Sequence, residues 1–232
     1  MALIKLILFV LMLVVAAESR TITIYNKCPF TVWPGIHGLG NPAEGGFTLD
    51  GGEARIIDVN NSWSGRIWAR TGCDANYNCE TGFCKNSEHC DGARGVPPVS
   101  LAEFSLNGYG GLDFYDVSMI DGYNLPVLID PYGGIECKRA GGCIKNIDDE
   151  CPYRLAVKGR KGNTVACKSG CFGYNTDREC CRGAYSTADK CHRSFTAQMF
   201  KDACPTAYSF AYDEGSSLFT CPAPASYTVQ FC

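Results

Sequence analysis

Histidine is scarce, with three residues in 232, and His37, His89 and His192 stand too far apart to form the His-x3-His pair that sets two metal ligands on one helix face. There is no Gly-x-Ser-x-Gly turn, which removes the serine-hydrolase signature. No basic run offsets a net charge of −3, so nucleic acid and anionic membrane surfaces are poor partners. Past the N-terminus no apolar run approaches the roughly twenty residues that a membrane span needs. No internal repeat or low-complexity linker is visible, and nothing in the sequence calls for a cofactor.

What the chain has in excess is cysteine: sixteen residues, from Cys28 to the last position, Cys232. They follow a leader in which the unbroken apolar run Leu6–Ala17 gives way to Ala17-Glu18-Ser19, with small residues at the two positions a signal peptidase reads. Residues 1–19 are therefore expected to be a signal peptide cleaved before Arg20, leaving a secreted, monomeric chain. Cleavage removes Lys5 and Glu18 together, so the net charge is unchanged. In an oxidising compartment an even cysteine count points to eight disulfides. Zinc sites favour Cys-x2-Cys knuckles. The spacings here, such as Cys79-x4-Cys84, Cys167-x3-Cys171 and adjacent Cys180-Cys181, are of another kind, and no metal is expected. A chain of this size buries a real core, so the bridges add to a hydrophobic fold, each by typically about 2–4 kcal/mol.

Short runs with period-two alternation dominate, from Thr21–Tyr25 at one end to Tyr227–Phe231 at the other, separated by turns rich in Gly, Pro and Asn. This is the pattern of an all-β sandwich. Between Cys137 and Cys204 the texture changes: most of the cysteines fall there and alternating runs are few. Two short helices are expected in that stretch, Val165–Tyr174 and Ser194–Ala203, the second with Phe195, Met199 and Phe200 spaced as core residues. A further small lobe is expected at Cys73–Pro98. The reading divides the chain into a sandwich (20–72, 99–143 and 204–232), a small disulfide lobe (73–98) and a loop-rich disulfide lobe with short helices (144–203). A groove between sheet and lobes is the natural ligand site.

Several motifs carry a more specific likeness. They are Asn26–Trp33 (NKCPFTVW), Gly65–Cys73 (GRIWARTGC), Leu101–Leu106 (LAEFSL), Gly111–Ser118 (GLDFYDVS), Asp121–Asn124 (DGYN), the paired Cys180-Cys181 and Phe200–Pro205 (FKDACP). Through them the chain resembles the thaumatin-like (osmotin-like, pathogenesis-related) family over its whole mature length. The resemblance implies a flattened antiparallel β-sandwich with two smaller disulfide-rich lobes. It also implies the pairing Cys28–Cys232, Cys73–Cys79, Cys84–Cys90, Cys137–Cys221, Cys143–Cys204, Cys151–Cys167, Cys171–Cys180 and Cys181–Cys191. One departure is Phe83 in Cys79-Glu80-Thr81-Gly82-Phe83-Cys84, where the family usually has an acidic residue.

The resemblance implies an acidic cleft made by Arg70, Glu103, Asp116, Asp121 and Asp213. Strand alternation supports part of this independently. Ala102, Phe104 and Leu106 share one face, which leaves Glu103 with Ser105 on the other, and Asp113 and Asp116 must point to opposite faces of a regular strand. Arg66, Trp68 and Arg70 also share a face. Such a cluster has three readings. It can hydrolyse β-1,3-glucan, with Glu103 as the acid and Asp121 or Asp116 as its partner. It can bind a glucan or other microbial cell-wall polysaccharide, or a basic protein surface, without turnover. Or it can be a solvated network around Arg70. Phe114, Tyr115 and Tyr123 lie near enough in sequence to stack on sugar rings, although each alone reads as core. Asn60-Asn61-Ser62 is an N-glycosylation sequon with Asn60 as acceptor, and Asp148-Asp149-Glu150 reads as a solvated acidic run. The expected function is host defence, antifungal in kind, through binding of β-1,3-glucan with at most weak endo-β-1,3-glucanase activity. The rival is a protein-interaction module that inhibits foreign hydrolases through the loops between Cys143 and Cys204.

Overall fold

A computed structural model describes residues 19–134, 136–222 and 225–232. Apart from Ser19, the signal-peptide reading of residues 1–19 lies outside them. In chain order the strands are β1 (Ser19–Asn26), β2 (Trp33–Gly38), β3 (Ala54–Asn60), β4 (Ser64–Arg70), β5 (Leu101–Ser105) and β6 (Leu112–Ser118). They continue with β7 (Val127–Tyr132), β8 (Ala140–Gly141), β9 (Ala156–Lys158), β10 (Thr164–Cys167), β11 (Phe219–Pro222) and β12 (Ser226–Phe231). One sheet runs β3-β1-β12-β7-β8 and a second runs β11-β6-β5-β4-β2, while β9 and β10 form a separate ribbon.

Alternation decides which side chains meet between the sheets. On β1 and β12, Ile22, Ile24, Tyr227, Val229 and Phe231 are buried, and they join Ile67, Ala69, Ala102, Phe104, Tyr115 and Val117 of the second sheet in one core. Full burial of each large apolar side chain contributes roughly 1.5–3 kcal/mol. Among the named strands of the described residues every pairing in the sandwich is antiparallel except β1 with β12, which pair in parallel, Ile24 opposite Val229. A parallel pair needs a crossover, and here nearly the whole chain is that crossover. The Cys28–Cys232 disulfide closes it, with the two Cα atoms 5.1 Å apart. The other seven bridges join Cys73–Cys79, Cys84–Cys90, Cys137–Cys221, Cys143–Cys204, Cys151–Cys167, Cys171–Cys180 and Cys181–Cys191. On the chain-entropy model the long terminal loop accounts for about 5 kcal/mol and a six-residue loop for about 2 kcal/mol.

The helices are short: α1 (Ile147–Glu150), α2 (Gly170–Tyr174), α3 (Phe195–Ala203) and α4 (Glu214–Ser217). The helix expected over Val165–Tyr174 begins only at Gly170. Val165 belongs to β10, where β-branched Thr164 and Val165 favour the extended chain, and Ser169 caps the helix by accepting from the Phe172 N–H at 3.1 Å. On α3, Phe200 is buried and Met199 packs against the core as expected. Phe195, the first residue of the helix, follows buried Ser194 and is itself 86% exposed.

Residues 73–98 fold back over the outer face of the second sheet. They bury Trp68 and Leu101 with Val99 and Cys90, and the Trp68 indole donates to the Gly82 carbonyl at 2.8 Å. The Trp68 ring lies between Gly35 and Gly95, where an added Cβ would sit 2.3 and 2.6 Å from it, so only glycine fits on either side. The part of that face which the lobe does not reach becomes the floor of the cleft.

Candidate functional site

Cross-strand register sets four polar residues in one row across the second sheet. His37 on β2 stands opposite Arg66 on β4, Arg66 opposite Glu103 on β5, and Glu103 opposite Asp116 on β6. All four point to the outer face, since their neighbours Ile36, Ile67, Ala102, Phe104, Tyr115 and Val117 fill the core. Asp121 approaches from the turn after β6. One Nη of Arg66 is 3.0 Å from a Glu103 carboxylate oxygen and the other is 4.0 Å from Asp121. The Arg66 and Glu103 side chains remain about a third exposed, at 31% and 29%. A cavity of about 380 Å³ opens over them, with His37, Ser64 and Phe104 in its wall.

The electrostatics follow from crowding. Burial, then Glu103 directly opposite, pushes the Asp116 carboxyl up to about 8 against the pull of Arg66. Glu103 is also raised, first by burial and then by Asp121, while Arg66 and the Ser118 hydroxyl hold it back. At neutral pH the Asp116 carboxyl therefore carries a proton beside an ion-paired Glu103. The site offers both hydrogen-bond donors and acceptors, as recognition of sugar hydroxyls requires.

Of the residues that the family resemblance named, Glu103, Asp116 and Asp121 lie together around Arg66. Arg70 does not join them. It lies at the far end of β4 opposite Trp33, fully buried beneath the 73–98 lobe, and donates to the carbonyls of Trp33 (3.0 Å), Ser87 (2.9 Å) and Glu88. Burial brings its guanidinium down to about 10, countered in part by Glu88 and Tyr77. Arg70 anchors the lobe, and Arg66 is the arginine of the acid row. Asp213 also serves another purpose. It is 4% exposed, and its oxygens accept from Arg193 (2.7 Å) and from the Ser209 N–H and hydroxyl (3.0 and 2.8 Å), with Lys201 at 3.1 Å. Burial alone would raise its carboxyl, but these partners hold it below the usual range.

Arg66 and His37 are the residues that sequence reasoning missed, and the only signal for Arg66 was the face it shares with Trp68. His37 spends both ring nitrogens locally, Nδ1 at 2.8 Å from the Gly92 carbonyl and Nε2 at 3.4 Å from Arg94 Nε. Tyr115 and Tyr123 are fully buried core residues, whereas Phe114 is only partly buried, on the same face as Asp116. Phe83 lines a groove of about 400 Å³ with Val96, Pro97 and Phe172. Asn60 is exposed at the end of β3, its amide oxygen accepting from the Ser62 N–H and hydroxyl at 2.9 and 3.0 Å. Asp148 is not solvated as its acidic run suggested. It is partly buried on α1, with Oδ1 sealed from solvent.

Residues 26–232 match the model of the thaumatin family. The chain is 46% identical over 225 residues to pathogenesis-related protein 5 of Arabidopsis thaliana, covering 94% of this chain and 92% of that one. It is 45% identical to pathogenesis-related thaumatin-like protein 3.5 of Cryptomeria japonica, covering 93% and 91%, and 42% identical to thaumatin-like protein 1 of Pyrus pyrifolia, covering 100% and 98%. Among solved structures it is similar to the thaumatin-like xylanase inhibitor TLXI, with 23% identity, a TM-score of 0.48, and coverage of 91% and 98%. On the family match and these identities, the chain belongs to the thaumatin family.

Proposed function

We propose that this is a secreted defence protein whose acid row binds β-1,3-glucan of microbial cell walls. The observation that carries the reading is the open group Arg66–Glu103–Asp116 with Asp121, left uncovered on a sheet whose neighbouring outer positions are sealed by a lobe. Ion-paired Glu103 accepts hydrogen bonds from sugar hydroxyls, protonated Asp116 donates one, and Phe114 supplies an apolar surface for a ring face. Asn60, exposed in its turn, is the proposed acceptor of an N-glycan on the secreted chain.

Slow hydrolysis is the second reading, and the separation of the two carboxyls in protonation favours it. Directly opposed residues on antiparallel strands hold their Cβ atoms about 4.5–5.5 Å apart, which keeps the two groups close, as a retaining glycosidase pair must be. Asp116 would then be the acid and Glu103 the nucleophile, the reverse of the assignment that sequence alone suggested.

The test is a pull-down of the oxidised mature protein on insoluble β-1,3-glucan, with reducing ends followed on soluble laminarin, for wild type and Glu103→Gln. Binding that falls at least about tenfold in the variant is expected, the loss typical of a site that leaves a polar partner unpaired. Reducing-end release that depends on Glu103 makes the cleft a hydrolase. Absence of glucan binding by the wild type overturns the reading and leaves inhibition of foreign hydrolases, to be sought in variants of the loops between Cys143 and Cys204.

A further inference from the structure

A large cavity lies away from the acid row and shares none of its residues. It encloses about 730 Å³, within the usual range for small-ligand sites. Its walls come from distant parts of the chain: Phe30 and Trp33 before and on β2, Thr71–Cys73 after β4, Tyr123–Pro126 before β7, Asp148 on α1, and the β9–β10 turn with Arg160. We propose that this cavity is a second ligand site, one that takes a neutral oligosaccharide with a sugar ring against Trp33 and a hydroxyl on Asp148.

The walls are fixed before any ligand arrives. Arg160 pins the β9–β10 turn to the neighbouring lobe, its backbone N–H reaching Glu80 at 2.5 Å and its guanidinium the carbonyls of Gly72 (2.7 Å) and Asn78 (2.6 Å). The disulfides Cys28–Cys232, Cys73–Cys79 and Cys151–Cys167 brace three of the contributing segments. Preorganised walls lower the ordering cost of binding.

The lining selects the ligand. Phe30 is 48% exposed and Trp33 is only partly buried, so aromatic surface is available for an apolar ring face. Asp148 lines the cavity and is only partly buried; its Oδ1 is sealed off with no hydrogen-bond partner among the described residues, so the other carboxyl oxygen is the one left for a ligand hydroxyl. Burial, with Asp149 beside it, lifts that carboxyl to about 7, so a proton is available there and the group can both donate and accept. Glu80 accepts from the Arg160 N–H and the Arg160 guanidinium donates to nearby carbonyls, so with Lys161 and Asp148 the described lining carries both signs and no cluster of one. Nothing there favours an anion or a cation over an uncharged, hydroxyl-rich molecule.

Because Trp63 and Trp68 are fully buried, Trp33 is the one tryptophan of three that solvent reaches, and quenching by acrylamide reports on it. Laminarihexaose and cellohexaose are the neutral probes and trigalacturonate is the charged control. At least one neutral hexasaccharide is expected to lower the quenching constant by about twofold or more, as cover over an exposed indole requires, while trigalacturonate has no effect. The protection should persist in Glu103→Gln. In Asp148→Leu, which removes an unsatisfied polar group and should melt no lower than wild type, calorimetric affinity should fall about tenfold or more. Three outcomes overturn the proposal: no protection by either neutral probe, protection lost in Glu103→Gln, or unchanged affinity in Asp148→Leu. The Glu103→Gln arm is what separates binding in this cavity from binding at the acid row.

Discussion

On β6, Asp113 and Asp116 stand three residues apart, face opposite sides of one sheet, and each has an arginine as its source of positive charge. Asp113 points into the core and is fully buried, and both its oxygens are occupied. Arg20 forks onto them, the Tyr227 hydroxyl donates at 2.6 Å and the Asn107 N–H at 2.8 Å, while Arg20 sends further donors to the Ala225 carbonyl. Asp116 points outward and faces another carboxylate, and the arginine of its row already serves Glu103 and Asp121. The inner group is closed: every charge has its partners and none is left to bind anything else. The outer group is partly buried and under-neutralised, which raises two carboxyls together and leaves hydrogen-bonding capacity facing solvent. Full burial with complete partners is structure, and partial burial with incomplete partners is a site.

The largest expected effect tests the closed group. Asp113→Asn keeps the shape but leaves Arg20 as an uncompensated buried charge, and a loss of about 3–5 kcal/mol is expected. For a chain of this length that is on the order of 10 °C in melting temperature, read with the disulfides intact. A loss under about 1 kcal/mol would equate the pair with a surface ion pair and break the contrast.

The same substitution on the other face should have the opposite sign. Asp116 has a carboxyl raised from 3.8 to about 8 in the folded chain, so the folded state holds its proton more tightly than the unfolded one. The stability it contributes is complete below pH 3.8 and is lost as pH rises through 8. Asp116→Asn, uncharged throughout, should therefore be more stable than wild type at pH 8, by on the order of 1 kcal/mol after allowance for partial exposure and coupling to Glu103. At pH 4 the two should differ little. Denaturant titrations at both pH values decide it, and a loss at pH 8 like that of Asp113→Asn would make both aspartates structural.

The face of each residue was legible in the sequence and its neighbours were not. Period-two alternation separates Glu103 from Ala102 and Phe104, and Asp113 from Asp116, because a strand allows only two directions. Arg66 and Arg70 share a face, so alternation cannot choose between them. The choice depends on the register of β4 against β5, and the thirty residues between those strands carry a lobe in place of a tight turn that would fix it. Asp213 fails for the same reason, since Lys201 and Arg193 reach it from α3 and the loop before it. Asp148 was hidden by its neighbours in sequence: Asp149 and Glu150 are exposed, and only the turn of α1 directs Asp148 inward.

The smallest effect expected on stability is at Arg66, and it bears on function most directly. Arg66 is about a third exposed, so Arg66→Gln should change stability at pH 7 by no more than about 1 kcal/mol, whereas Arg20→Gln should cost about 3–5 kcal/mol. Its effect on protonation is larger than its effect on folding. Arg66 pulls both Glu103 and Asp116 down, and without it both carboxyls rise further. The fall in stability from pH 4 to pH 8 should then be steeper than in wild type, because two groups hold protons that the unfolded chain releases. Carboxyl carbon shifts followed by NMR across that range would show both titrations moving upward. Unmoved titrations, or a stability loss equal to that of Arg20→Gln, would place Arg66 among the structural arginines and leave the acid row without its counter-ion.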